Sequence, residues 1–325
     1  MTTMTAPETP TSPMASEAAG SARPPRTKRR RRGPASDRPA WMGRPSVPVQ
    51  ALKALVIGFI VLVMLYPFVY IIAMSFASKD AQTSGFLPTS FSLDAYQAIL
   101  AGDIVTRSLL ISAFVTIVGT ALSLTCTVML AYGLSRTRQV PGSRAILLLV
   151  VFTMFFGAGI IPNYLLMKNL GLLNTLWSLI LPGLISAFNM VVVRNFFMSI
   201  PASLIESARI DGASDFRILW KIVLPLSRPV LAVVGLFAAV GYWNSYFSAL
   251  LYINDSSLWP VQVVLNQYVI QGSVLTDIIG SDVPTPPSQS VQMAVVVLAT
   301  LPILIVYPFI QRHFTKGMLT GAIKG

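Results

Sequence analysis

Six stretches of about 20 residues with almost no charge recur along the chain, at 54 to 76, 108 to 134, 145 to 166, 174 to 193, 229 to 252 and 290 to 311. A helix advances 1.5 Å per residue, so each run matches the roughly 30 Å of a bilayer's hydrocarbon core. Between the fourth and fifth runs the pattern changes to short, charged and glycine-broken. Pro201 opens a first helix there, Ser203 and Glu206 have the spacing of a capping box, and Gly212 falls where a helix end takes a left-handed residue. Ser214 then caps a second helix through Phe216, Leu219, Trp220 and Val223, which Pro225 is expected to end. The pattern predicts an all-α membrane protein of six transmembrane helices, with a helix, bend, helix loop at 201 to 229 between spans 4 and 5. A longer connection, 252 to 289, carries an amphipathic stretch from Val261 to Ile270 that reads equally as a packed lid or as a face for a binding partner. Pro284, Pro286 and Pro287 mark its irregular return.

Composition agrees with that pattern. Hydrophobic residues make up 54% of the chain and charged residues 11%, well outside the range of soluble domains. Six spans leave no room for a separate soluble domain of the usual size, so residues 49 to 325 form one membrane domain. Residues 1 to 48 are rich in Thr, Ser, Pro and Ala and are expected to be disordered. Their basic run, Lys28 to Arg32, fits a lipid-facing or topogenic role beside the first span better than nucleic-acid binding. The first apolar run exceeds a cleaved signal's core and stays in the membrane. Lys and Arg are one-sided: Lys28 to Arg32, then Arg136, Arg138 and Arg144, then Arg209, Arg217, Lys221 and Arg228, then Arg312, Lys316 and Lys324 share a side. Both termini and the 201 to 229 loop are thereby assigned to the cytoplasm.

The candidate chemistry is sparse. Cys126 is the only cysteine and His313 the only histidine, which removes a disulfide framework and a two-histidine zinc site, and the place of His313 just beyond the last span argues against a Ser-His-Asp triad. No phosphate-cradling G-x-x-x-x-G-K-[ST] occurs. The spans carry almost no ionisable residues, against a proton- or sodium-coupled carrier. What remains is neutral and polar: Asn189 in the fourth span, and Tyr242, Trp243, Asn244, Ser245 and Tyr246 in the fifth, with Asn163 and Gln292 behind them. Amide and hydroxyl groups beside aromatic faces suit sugars, which need hydrogen bonds at their hydroxyls and stack their C–H faces on rings. The same residue types also anchor helices at the interface or bond between helices.

The run Glu206-Ser207-Ala208-Arg209-Ile210-Asp211-Gly212-Ala213, followed by Leu224-Pro225, resembles the signature cytoplasmic loop of the permease subunits of binding-protein-dependent ABC importers. Glu206, Ala208, Asp211, Gly212, Ala213, Leu224 and Pro225 match that motif, and Ser207 stands where a second alanine is usual. Phe86-Leu87-Pro88 with Ser92 to Tyr96, Tyr242-Trp243-Asn244 and the ending Phe314 to Gly325 are similar to the carbohydrate-uptake branch, near the smaller maltose-type permease and the polysaccharide and oligosaccharide permeases. The long arginine-rich tail is not a usual part of that pattern. The resemblance implies a sugar-importing transport subunit of the bacterial cell membrane, not an enzyme. Its expected partners are a second permease, two ATPase copies that bind ATP and Mg, an extracytoplasmic binding protein and membrane lipid, with no nucleic acid. In the implied roles the loop's helix docks on the ATPase, Glu206 pairs with a basic group there or holds the loop's own cap, Gly212 permits close backbone approach, and Ala208 and Ala213 pack against the partner. An importer of the same architecture for a polyamine, phosphate or peptide stays open. The absence of buried acids speaks against the first, and the absence of inward Arg or Lys against the second. A non-transport membrane enzyme or scaffold would leave the docking loop without a role.

Overall fold

The computed structural model describes residues 47–78, 88–136, 140–271 and 289–322. The basic tail, residues 79–87 and the proline-rich 272–288 therefore lie outside the described residues. By its internal contacts the chain divides into Met1–Gly58 and Phe59–Gly325. Helix α1, Val47–Ser75, runs through that division, and its most apolar window is 0% buried within the chain. Met74 and Ser75 at its end are buried, but a helix so apolar on every face and exposed along most of its length is suited to lipid or to another subunit.

Helix α2 (Asp94–Ala101) is short and leads into α3 (Asp103–Ser135), a 33-residue helix long enough to exceed the bilayer core. Besides Val128, the buried positions of α3 are Val105, Ser108, Ser112, Val115, Gly119, Ser123, Thr127, Ala131 and Leu134. They recur every three or four residues and are mostly small, so they form a stripe that lets neighbouring backbones come close. Helices α7 (Ala187–Met198) and α11 (Arg228–Trp243) pack along it. The last helix of the bundle, α14 (Gln289–Ala322), packs on α11.

Where the sequence predicts single apolar spans, the structure breaks three. The 145 to 166 run is two helices, α4 (Ser143–Phe155) and α5 (Ile160–Asn169), bent by 119°. The break contains Gly159 at φ +88°, a conformation that costs an L side chain dearly, and Pro162 follows without an N–H to continue α4's ladder. The 174 to 193 run is α6 (Trp177–Ile180) with a 3-10 turn through Pro182, then α7 at 48°. The 229 to 252 run is α11, then α12 (Tyr246–Tyr252), interrupted at Asn244 and Ser245. Alone, the 16 residues of α11 span about 24 Å, so α12 is needed to complete a crossing. Among the described residues three helices meet the length and apolarity of a membrane crossing, and up to six spans do if α4 with α5, the α6 turn with α7, and residues 215–226 with α11 are each counted as one bent span.

The loop helices are α8 (Ala202–Ile210) and a second helical stretch, α9 (Asp215–Ile218), a π turn at Leu219–Val223 and α10 (Leu224–Leu226). This second stretch meets α11 at 84°. At the other end of the bundle, α13 (Val261–Asn266) and a π turn (Gln267–Gln271) cover the 261 to 270 stretch. Val261, Val263 and Val264 are at most 1% exposed; Val264 packs with Ala294 and Val295 of α14, and Val261 with Trp243 and Ala299. The apolar side of this segment thus packs on the bundle, as the lid reading expects. The Val261 N–H donates to Ser112 Oγ of α3 at 2.8 Å in a buried setting. Ser112→Ala leaves that N–H buried and unpaired, at a cost of about 1–3 kcal/mol. The expected result is a lower unfolding midpoint in detergent and faster amide exchange at Val261, whereas Ser112→Thr retains both.

Candidate coupling loop and translocation cavity

The loop's shape follows from its backbone bonds. At the end of α8 the Ala213 N–H donates to Ala208 O at 2.9 Å and the Gly212 N–H to Arg209 O at 3.0 Å, with Gly212 at φ +77°. This pair of bonds is a Schellman turn, which needs a left-handed residue at the glycine position. Asp211, Gly212 and Ala213 of the motif thus form one structural unit. Ser214 caps α9, its Oγ accepting from the Arg217 N–H at 3.4 Å.

Two expectations for this loop give way. Ser203 and Glu206 do not form a capping box: α8 starts at Ala202 behind Pro201, and no side chain caps it, so Ser203 is already inside the helix. Pro225 does not end the second helix either. The Leu224 N–H reaches back five residues to Leu219 O, and this wider π turn accommodates the proline that follows. Helical structure continues to Leu226, and the bend falls at Ser227, which is fully buried.

The orientation of α8 also differs from the expected roles. Ala208 and Ala213 turn inward against the core cluster of Met190, Val193, Ile218 and Val223. Outward instead lie Ser207 and Ile210, the latter 86% exposed, with Leu204 48% exposed on the preceding turn. Glu206 is exposed at the rim of a 340 Å³ cavity lined also by Tyr132, Arg136, Phe197 and Arg209. Leu224 is half-buried against the same core, and Pro225 is exposed. The sequence pattern missed Leu204 and Ile210 because a motif names the residues that build a turn, not those the turn displays.

A network of charges holds this loop to the bundle. Arg209 Nη2 donates to Asp215 Oδ1 at 2.8 Å, joining the two loop helices across the turn. Arg136, at the end of α3, lies 3.9 Å from the same carboxylate and donates to the Tyr132 hydroxyl at 2.7 Å. That hydroxyl donates in turn to the Asp215 carbonyl at 3.1 Å, and the Arg194 Nε of α7 donates to Leu134 O at 3.0 Å. The hydrogen bond from Arg209, aided by the charge of Arg136, holds the Asp215 carboxyl below the usual carboxylate range.

Nearer the middle of the bundle lies a cavity of 630 Å³. Of the predicted path residues, Asn189, Tyr242, Asn244 and Ser245 line it, together with Ser123 and Ser186 and the rings of Phe188, Phe237 and Phe247. Trp243 and Tyr246 do not. Trp243 is 6% exposed and faces α14, its Nε1 donating to Ala299 O at 3.1 Å, while Tyr246 packs with the cluster around Ile180 and Tyr252. A helix turns 100° per residue, so neighbours such as Tyr242 and Trp243 cannot share a face. Ser123 and Ser186 escaped notice because an isolated serine in a span is unremarkable until packing brings several together.

Tyr242 is held by shape. Its hydroxyl donates to Ile180 O at 3.0 Å, a Cβ on Gly119 would meet its ring at 2.9 Å, and one on Gly183 would meet its oxygen at 3.2 Å. Gly119→Ala is expected to cost about 1–3 kcal/mol by overpacking, measured as thermal unfolding in detergent. The loss should be largely recovered in the Gly119→Ala, Tyr242→Leu double variant. Because the Asp215 pKa is lowered on folding, its contribution to stability is complete above the usual carboxylate value of about 4 and fades as pH falls through the lowered one. Proteolysis of the 201–229 loop should therefore quicken below about pH 4 in the native chain. Asp215→Asn should bring that faster cleavage to neutral pH.

A family model described as binding-protein-dependent transport system inner membrane component matches residues 40–320. The chain is 51% identical to the polygalacturonan/rhamnogalacturonan transport system permease protein YtcP of Bacillus subtilis (strain 168), over 83% of this chain and 97% of that one. It is 49% identical to Protein LplC of the same organism, over 83% of this chain and 93% of the other. Among solved structures it superposes with a TM-score of 0.77 and 35% identity on a chain of a bacterial ABC transporter involved in the import of the acidic polysaccharide alginate, covering 84% of this chain and 100% of that one. A helical bundle with a Schellman-turned loop, matched over most of its length by transport permeases, belongs to the family of binding-protein-dependent transport system inner membrane components, the permease subunits of ABC importers.

Proposed function

We propose that this permease forms one half of the path for an oligosaccharide, with those of acidic polysaccharides of the polygalacturonan, rhamnogalacturonan or alginate kind as the first to test. The observation that carries this reading is the 630 Å³ cavity, whose lining offers serine hydroxyls, two asparagine amides and three phenylalanine rings and holds no charged side chain. Hydroxyls and amides can exchange hydrogen bonds with sugar hydroxyls, and the rings can stack on sugar faces. Charge neutralisation of a uronate then falls to the facing permease or to the binding protein. The relatives named for polygalacturonan, rhamnogalacturonan and alginate support the substrate class.

On this reading a second permease closes the open side of the cavity, and two ATPase copies that bind ATP and Mg dock under the loop. An extracytoplasmic binding protein delivers the sugar. Ser207, Ile210 and Leu204 present the docking face, while Asp211, Gly212 and Ala213 keep the helix end compact against it. The loop and both termini face the cytoplasm. The arginines and lysines of the connections support this, since Arg136 of the α3 end and Arg209, Arg217 and Lys221 of the loop sit at one end of the bundle. Residues 49 to 325 make up the permease domain.

Co-purification of the tagged chain from native membranes, followed by reconstitution with its binding protein, tests the proposal. The expected outcome is a second permease and an ATPase in the complex, with ATP hydrolysis stimulated by an oligosaccharide. Stimulation only by a non-sugar solute would reject the substrate class, and the absence of any ATPase would reject the docking role. Gly212→Val forces an L side chain into the left-handed region at about 1–2 kcal/mol. It should leave membrane insertion intact while uptake falls to background, and normal uptake in that variant would contradict the role of the turn.

A further inference from the structure

The second loop helix has a face that the transport reading leaves unused. Along residues 215 to 226, Ile218, Leu219 and Val223 point into the core, at 0%, 6% and 1% exposure. Phe216 and Trp220 point away from it, 68% and 59% exposed, with ring centroids 6.0 Å apart. Next to them round the helix are Arg217 and Lys221, both exposed, and Arg228 is exposed directly after the bend at Ser227. Neither ion pair found among the described residues involves these three cations.

Behind the two rings runs an apolar groove of 450 Å³, walled by Leu124, Val128 and Met129 of α3 and by Trp220, Leu224 and Leu231. On α3, Ser123 lines the translocation cavity, whereas Leu124, Val128 and Met129 stand about 100° or more round the helix from it. That wall therefore faces a different way from the cavity, whose open side the proposed function gives to a second permease. Its depth is also informative: Met129 precedes Arg136 by seven residues, about 10 Å along the helix. The groove thus opens just inside the end of the span where the charges sit, and the helix carrying Phe216 and Trp220 crosses α11 at 84°. A helix lying across the spans, with aromatic rings on one side and cations beside them, has the build of an element that lies in a bilayer's interface.

We propose that this groove seats an acyl chain of an anionic phospholipid from the leaflet on the loop's side, with its headgroup held by Arg217, Lys221 and Arg228. Phe216 and Trp220 lie at the boundary between chain and headgroup. The three cations select for negative charge and the groove takes the chain, so the loop helix is fastened to the membrane surface as well as to the bundle.

The assembled transporter in phosphatidylcholine nanodiscs, doped with either brominated phosphatidylglycerol or brominated phosphatidylcholine, tests this by tryptophan quenching. The Trp220→Leu variant supplies the background from the other tryptophans. The emission of Trp220 should be quenched by phosphatidylglycerol at a mole fraction lower by about an order of magnitude or more than by phosphatidylcholine. Arg217→Gln with Lys221→Gln should remove that difference, while Arg217→Lys with Lys221→Arg keeps it. Equal quenching of the native protein by both lipids overturns the headgroup assignment. No quenching by either overturns the lipid and gives this face to a protein neighbour. The readout needs neither sugar nor ATP turnover, so it stands or falls apart from the oligosaccharide reading.

Discussion

Close approach of α3 to α7 and α11 along a stripe of small residues is the contact from which both functional regions take their shape. Gly119 and Ser123 stand at its middle, where the absence of bulk admits the Tyr242 ring and leaves room for the cavity beside it. Ala131 and Leu134 stand near its end, and within the same last turns Tyr132 and Arg136 reach the loop through Asp215. In a bilayer no hydrophobic drive separates helix from lipid, so dispersion across such a close seam and the hydrogen bonds it permits must hold the bundle. One rigid rod thereby touches the substrate region and the loop at once. A displacement of the loop is felt at α3 through the Asp215 network, and any tilt of α3 moves one wall of the cavity.

The fold class was legible in the sequence because hydropathy is a strong signal and a bilayer admits few backbone solutions. Six apolar runs were found at nearly their structural positions, and the Gly212 turn and the Ser214 cap follow from local residue chemistry. What the pattern could not show was continuity. The breaks at Gly159, Ser186 and Asn244 lie inside unbroken apolar runs, since a single glycine, serine or asparagine interrupts a helix while the rest of the run keeps its mean hydropathy high. Pro225 misled in the opposite direction, because a π turn absorbs the proline and the chain stays helical to Leu226.

The candidate sites were legible to different degrees for the same reason. The motif picked out the loop because its turn depends on sequence-local bonds, yet it said little about which face of α8 points outward. Burial, not spacing, assigns Ala208 to the interior and Ile210 to the surface. For the cavity, residue type found Asn189, Tyr242 and Asn244, while the aromatic character of Trp243 and Tyr246 pointed equally to packing, which is where the structure puts them. Ser123 and Ser186 come from other helices, and only tertiary packing places them beside Tyr242.

The elbow at Ser227 has a mechanical meaning. It has no exposed surface, and its N–H donates to both Val223 and Leu224 carbonyls, so it is clamped and does not swivel freely. The helical arm from Asp215 to Leu226 is 12 residues, about 18 Å, set at 84° to α11. Such an arm works as a crank: a displacement of about 3 Å at its Asp215 tip corresponds to a rotation of about 10° at the elbow. Because the joint is stiff, that rotation passes into α11 as torque, and Tyr242, four turns further along, swings with it.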